Sequence, residues 1–572
     1  MKKSISNLTW AFRYALTYLY PLMKTKRILL PLRRRRRNFL LLSITCLVLT
    51  GCEEQRKFDK AHFQIAIENG KLANESYDRS LRLTKAWVAR KDSASGLIPS
   101  NFTKRSDVYE PHNAGADNYA FMVLTSYLLD KDLFHGEMLD MLNREIKLTS
   151  RIKSLPDTYS FSKRDFETAQ PDKHWIVFAT SEYIKDGLVP ITEYMGPSPW
   201  SERMMEMLND LPHVYDVLKN IDQLGTYKVA SDEVNGEMLQ TLARVYWMTG
   251  DEKYLNWAIR IGDYYLKDER DLTKIPYLRL RDHGCEVIGG LSELYVTLHY
   301  VRPEVKKQYQ DRFYQLLDRV LEVGRNKDGL FYNAINPTTG KTEDDRTADT
   351  FGYVFDAYYS VYLVDHKEEY RQAVLNGLRN LNDHYRNFEW EGTSHDGYAD
   401  AIEGGINLYN REPDHSLKEW IDSEIKVMWA MQKDDDIVGG GWPDGNFSRT
   451  NIMYSLWKTQ GTHVLPWRKD VMLGADRSGD TLKIALTGRE EWEGKLTFDY
   501  KRHKEILKLP IDYPRLNQFP EWFTVDKQSK YHVEIIDQDF EKVFSGEQLI
   551  EGIPVQLNGN EEKLIVVSRI RS

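Results

Sequence analysis

The chain has 572 residues, enough for two domains with one of them large. Its 78 Lys+Arg against 86 Asp+Glu leave a net charge of −8, which gives no bulk attraction for nucleic acid. Aromatic residues make up 12%, with 34 Tyr and 14 Trp, more than a core alone usually needs. Carbohydrate clefts use such rings as apolar platforms, and large helical cores absorb them too.

The first segment reads as an address. "RRRRRNFLLLSITCLVLTGCEEQ" joins a basic run, Arg33–Arg37, to an apolar stretch from Phe39 to Leu49 that is too short to span a bilayer comfortably. "LTGC" resembles the bacterial lipobox, which implies that residues 1–51 are a signal segment and that Cys52 is lipidated, with Met1 or Met23 as the start. An unprocessed membrane anchor is the alternative. The expected location is the bacterial periplasm or cell surface, on a lipid anchor in the membrane. Of three cysteines only Cys285 then remains unlipidated in the mature chain, so neither a disulfide framework nor a Cys-rich zinc site is available.

From residue 57 the pattern is helical and paired. A helix over 57–91 comes first; "DEVNGEMLQTLARVYWMTGDEKYLNWAIRIGDYYL" (232–266) reads as helix, Gly-Asp turn, helix, and 349–381 repeats the plan. Further pairs fall at 117–149, 175–220, 284–324 and 400–434. First members are apolar on most sides and belong inside; second members are striped and belong outside. The links 89–102, 324–336 and 433–447 share a phrase built on Asp and Gly. Six or seven hairpins over about 400 residues close a ring. An (α/α)6 toroid over 57–465 is therefore expected, rather than an open solenoid, whose short regular repeat is missing. From about 466, "DTLKIALTG", "GKLTFDYK", "YHVEIIDQ" and "KLIVVSRI" follow strand grammar and define a small antiparallel β domain, 466–572, with a packing role. The fold class is mainly α.

Polar residues that interrupt apolar inner helices at their loop ends are the informative ones, because a buried carboxylate without a partner is costly. "EPHNAGADNYAFM" sets Asp117 and Asn118 at a helix head, where Asp117 also suits an N-cap. "RLRDHGCEVIGGLSELY" crowds His283 and Glu286, with two arginines and Asp282, at a helix entrance. In "EDDRTADTFGYVFDAYY", Asp349, Tyr353 and Asp356 share a face, and the fork of Arg346 suits a substrate carboxylate. "SHDGYADAIEGGINLYNREP" carries His395, Asp400 and Glu403, a capping-box pattern, followed by Gly404-Gly405, which a neighbouring helix or a sugar ring could require. "GGGWPDGNFSRTN" delivers Trp442, Asp444 and Arg449, with Trp442 as a stacking platform and Arg449 as a carboxylate partner.

The hairpins and the trailing strands together resemble the six-hairpin glycosidase superfamily and the related toroid polysaccharide lyases of Bacteroidetes-like bacteria, over about residues 57–465. Among them the chain looks most like enzymes that remove uronic acids, the β-glucuronidases and unsaturated glucuronyl hydrolases. The resemblance implies an exported glycoside hydrolase acting on a uronate-containing oligo- or polysaccharide, with Asp117, Glu286, Asp349, Asp400 and Glu403 competing for the acid and base roles. Asn118, His283, Arg346, Tyr353, His395, Trp442, Asp444 and Arg449 would then bind the sugar and its carboxylate. A lyase using His283, Tyr353 or His395 as base, a non-catalytic glycan-binding lipoprotein and a helical scaffold for protein partners are the alternatives. No cofactor is expected: HExxH, clustered His pairs and EF-hand spacing are absent. An oligomer is compatible with the sequence.

Overall fold

A computed structural model describes residues 58–571 apart from 220–222, 225–226, 229, 268–269, 440–443, 537 and 539. Phe58–Ser572 form one compact unit. The signal segment and Cys52 lie outside the described residues, among which no helix is long and apolar enough to cross a membrane.

The helical pairs stand where the repeats place them. The principal helices are α1 Gln64–Val88, α2 Ala120–Leu129, α3 Leu139–Thr149, α4 Lys173–Glu182, α5 Pro199–Asp210, α6 Ala230–Thr249, α7 Glu252–Leu266, α8 Glu286–Val301, α9 Pro303–Val323, α10 Phe351–Asp365, α11 Glu368–His384, α12 His395–Arg411, α13 His415–Ala430 and α14 Asn446–Lys458. Burial separates the two kinds. In α6, residues 231–246 are buried almost without a break, whereas α9 buries only Tyr309, Phe313, Leu316, Leu317 and Val320, a single stripe. Turn chemistry joins them: Asp251 caps α7, accepting from the Lys253 N–H at 3.0 Å, just after Gly250 with φ +70°.

The inner segments meet in sequence: the turn Pro111–Tyr119 that leads into α2 packs on α4, which is followed by α6, α8, α10, α12 and α14, and α14 returns to α2, closing a ring. Among the described residues seven inner segments build it, the upper of the two counts that the repeats allow. The seventh outer position is taken by α1 from the start of the chain, packed on α14. Two inner segments contain wide π-type turns, Pro111–Tyr119 and Tyr183–Leu188, which pack on each other. Such turns inside α-helices are frequent at functional sites.

The strands follow as antiparallel sheets. With β1 Tyr332–Asn336 and β2 Lys341–Thr347 forming a hairpin in the toroid, the later strands are β3 His463–Leu465, β4 Val471–Ser478, β5 Thr481–Gly488, β6 Trp492–Thr497, β7 Lys530–Ile535, β8 Phe540–Ser545, β9 Ile553–Leu557 and β10 Glu561–Arg569. They make a five-stranded sheet ordered β4-β5-β10-β7-β8 and a three-stranded sheet ordered β3-β6-β9. Helix α1 packs on β4, with Gly70 against Gly474 backbone to backbone.

This region does more than pack on the toroid's flank. Between β6 and β7 the segment 513–517 enters the ring and touches one inner element after another. Arg515 Nε donates to Glu193 at 2.8 Å, Arg244 donates to the Leu516 carbonyl at 3.3 Å, and Tyr513 Oη donates to Glu293 at 2.9 Å. Ser360 Oγ donates to the Pro514 carbonyl at 3.3 Å, and Asn407 Nδ2 to that of Arg515 at 3.4 Å. Because these partners lie around the ring, the strap fills its axis.

The aromatic surplus goes largely into the core. Trp87, Trp200, Trp390 and Trp420 are fully buried, and Trp390 stacks on Tyr385 and meets Phe351, Phe388 and Trp420.

Candidate functional site

A cavity of about 220 Å³ opens above the strap. Its lining combines Asn113 and Asp117 from the first π-type turn, Glu182 at the end of α4, Lys185 and Asp186 from the second π-type turn, Glu237 from α6, and Asp282, His283 and Glu286 at the entrance of α8. Thr350, Tyr353, Glu391, Asp396, Asp400, Asp444, Asn446, Arg449 and the strap's Leu516 complete it. Acids therefore far outnumber the three cations, Lys185, His283 and Arg449.

The cations are engaged. Arg449 Nη2 donates to Asp400 at 2.6 Å and lies 2.9 Å from Glu403, while Nη1 donates to Asn446 and Asn517. Lys185 Nζ reaches Asp186 at 2.7 Å and Glu286 at 2.8 Å, and Gln240 donates to the other Glu286 oxygen at 2.5 Å. His283 is hydrogen-bonded to Glu233 and lies 3.4 Å from Asp282. Desolvation would lower His283, but Asp282 and Glu233 outweigh it and raise it to about 9. It is a cation at neutral pH.

Two classes of carboxyl line this space. Burial, then repulsion from Asp444, pushes Asp117 and Asp396 well above the usual carboxylate range. Asp444 is pushed up by burial to about 6, with the Asn446 N–H and Arg449 opposing. Asp282 behaves oppositely. Desolvation would raise it, yet His283, Arg279 and Arg281 hold it well below the usual range, and Arg279 donates to it at 2.7 Å. Its side chain is 35% exposed, and its backbone sits at φ +38°, which is uncommon for a residue other than glycine. Strain of this kind is found at active sites and ligand clamps.

The structure sorts the expected residues. Asp117, His283, Glu286, Tyr353, Asp400, Asp444 and Arg449 line one cavity. Glu403 lies beneath it, fully buried: the Asn517 N–H donates to it at 2.7 Å, and burial, opposed by Arg449, raises it to about 6. Tyr353 Oη is 2.9 Å from Asp400 and 2.7 Å from Glu403, so this hydroxyl is held between two acids. Asp349 lines an adjoining groove with Arg281 and Arg346; burial, opposed by Arg281 at 3.3 Å, raises it to about 7.

Other expectations are redirected. Arg346 is 72% exposed on its side chain and pairs with Asp344, away from the main cavity. Asn118 donates to the Asn113 carbonyl at 3.2 Å and braces the π-type turn. His395 is buried outside the lining, and burial lowers it to about 4. Trp442 lies outside the described residues. The cap of α12 is Ser394, which accepts from the Gly397 N–H at 2.8 Å, so Asp400 and Glu403 are not a capping box. Gly404 meets a helix: a Cβ there would come 2.7 Å from the Gly352 Cα, and one on Gly405 would come 2.8 Å from the Trp420 ring.

Glu182, Lys185, Asp186 and Glu237 escape a reading confined to loop ends. Their signal is nonetheless in the sequence, as charges inside apolar runs at helical spacing: Glu182 with Asp186, and Glu233 with Glu237.

No protein-family model matches the chain, and no curated protein matches it. Among solved structures it is similar to a family 76 glycoside hydrolase (mannosidase) from Bacteroides thetaiotaomicron, with TM-score 0.39 and 12% identity over 67% of this chain and 98% of that one. A family 76 α-1,6-mannanase from Salegentibacter, an inactive variant in complex with α-1,6-mannotetrose, gives TM-score 0.38 and 10% identity over 66% and 98%. A family 88 glycosyl hydrolase from Bacteroides vulgatus gives 0.34 and 13% over 49% and 88%. These likenesses are distant, and the toroid stands on the helix contacts described above.

Proposed function

We propose that the protein is a glycoside hydrolase in which Asp444 acts as general acid and Asp282 as the ionised partner. One observation carries this reading: a single cavity holds a carboxyl whose proton affinity burial raises to about 6 and a carboxylate that cations keep ionised. Glycosidic hydrolysis needs that pair, one group to protonate the leaving oxygen and the other to activate water or attack the sugar. After burial, Asp400 and Glu391 add to the proton affinity of Asp444 by proximity, and Arg449 with Tyr353 orients Asp400.

A binder has no need for such a pair. A lyase would need a neutral base near C5 of a uronate. His283 is protonated, Tyr353 is shared between two acids with its hydroxyl pushed well above its ordinary value first by burial, and His395 is outside the lining.

The acid excess favours a neutral sugar ring within the cavity. A uronate-bearing substrate draws its support from Arg281 and Arg346 in the adjoining groove with Asn333. The exported, lipid-anchored address read around Cys52 belongs to the same proposal, since extracellular glycans are the substrates such an enzyme would meet. A panel of neutral and uronate-terminated oligosaccharides tests the reading, scored for released sugar and for absorbance of a new C4–C5 double bond. Released sugar without new absorbance supports it; new absorbance refutes it in favour of a lyase.

A further inference from the structure

We propose that Glu182, Asp186 and Glu237 hold a divalent cation of the calcium type on the wall of the cavity. The three residues come from two neighbouring inner segments, Glu182 and Asp186 one helical turn apart around the second π-type turn and Glu237 on α6. One oxygen from each lies within 4.8 Å of the others, the spacing of ligands around an ion with metal–oxygen distances of about 2.3–2.6 Å. All three line the cavity, so water or sugar hydroxyls would complete the shell.

The acids are also short of partners. Glu182 Oε2 is buried and accepts no hydrogen bond, with the residue only 6% exposed. Glu233 Oε2, on the turn of α6 before Glu237, is likewise buried and unpartnered in a residue with no exposure. The neighbouring donors are already committed. Asp186 takes the Asn517 amide at 2.6 Å, Glu237 takes the Ser181 hydroxyl at 2.5 Å, and Lys185 is divided between Asp186 and Glu286. His283 answers Glu233. Buried carboxylates are expected to be paired or to coordinate a metal, and within this cluster Glu182 is a buried acid with an oxygen left unpaired. The donor set is oxygen alone, which suits a hard cation rather than zinc or copper. Two other groups of this spacing each include a histidine already bonded to an acid: in Glu182, Glu233 and His283 the histidine is bonded to Glu233, and in His503, Asp512 and Glu521 His503 is bonded to Glu521 while Asp512 accepts from Arg515 and Gln518.

Metal content and thermal melting of the full chain test the proposal without reference to turnover, so it can fail or stand independently of the hydrolase reading. After EDTA treatment, adding millimolar CaCl2 should raise Tm by several degrees, because an ion that binds only the folded state stabilises it by mass action. Metal analysis after desalting should find about one calcium per chain, as a site of this ligand set would bind. Glu182→Gln and Glu237→Gln should each abolish the calcium shift. The proposal is overturned if Tm is the same in EDTA and in CaCl2, or if the shift survives in both variants, which would put the ion elsewhere. A shift produced by MgCl2 and not by CaCl2 overturns the calcium assignment. The wild-type titration decides the matter even if a variant fails to fold.

Discussion

The backbone N–H of Asn517 donates to Oε1 of Glu403 at 2.7 Å, and through this bond the strand-rich end of the chain holds an acid under the cavity of the helical ring. The strap is therefore part of the site's floor. Arg515, 1% exposed on its side chain, faces Glu193 at 4%, and removing one member of a buried pair leaves the other charged and unpaired. Arg515→Ala should cost about 3–5 kcal/mol in a denaturant titration. A loss within experimental error would mean that the strap is not anchored through this pair.

Gly404→Ala and Gly352→Ala ask what the glycines of α12 and α10 are for. A methyl at 404 would sit 2.7 Å from the Gly352 Cα, and one at 352 only 2.3 Å from the Gly404 Cα. Overpacking of this kind should lower stability by about 1–3 kcal/mol while leaving turnover per folded molecule nearly unchanged. A stable Gly404→Ala protein with weakened substrate binding would instead show that a sugar approaches this backbone.

Stability should fall as pH rises. Asp349, Glu403 and Asp444 are raised, first by burial, to about 7, 6 and 6 from ordinary values of 3.8, 4.5 and 3.8. Between the unfolded and folded values the native chain binds more protons than the unfolded one, so ΔG of unfolding decreases with pH. His283, raised to about 9, acts in the same direction: its contribution is complete below its ordinary 6.5 and lost on passing 9. His112, His395 and His463, which burial lowers to about 4, 4 and 3, act in the opposite direction below 6.5, so in EDTA Tm should be higher near pH 6.5 than near pH 8. A Tm that rises over this interval would contradict the assigned proton affinities.

Replacing Cys52 with alanine should release the protein from the membrane fraction into the soluble one. Unchanged attachment after the Cys52→Ala substitution would refute the lipobox reading.

The ring was legible because its evidence is periodic: apolar inner helices, striped outer ones, and Asp- and Gly-rich links repeat along the sequence. Asp117, Glu286 and Asp400 were legible for a related reason, as acids at the mouths of apolar helices. What sequence could not show is depth. Glu403 and Asp400 are one helical turn apart, yet one is beneath the cavity and the other on its wall. Arg346 reads as a carboxylate fork, but its strand turns it toward Asp344 and solvent. The strap "DYPRLNQFP" looks like an irregular connection between strands, since nothing local tells that Arg515 and Asn517 have partners more than a hundred residues away. Glu182 and Glu237 stay hidden because single acids within an inner segment read as exceptions to its apolar face, and nothing local shows that the two segments bring them together.

Turnover of Asp282→Asn and Asp444→Asn, measured on the oligosaccharide that the panel identifies, tests the central claim most directly. Asparagine is tolerated at positive φ, so Asp282→Asn should keep the turn at φ +38° and the fold. Each variant should lose on the order of a hundredfold or more in kcat with Tm little changed, whereas Asp349→Asn, in the adjoining groove, should stay within about tenfold of wild type. Near-full turnover in both Asp282→Asn and Asp444→Asn would contradict the assignment of the acid and its ionised partner.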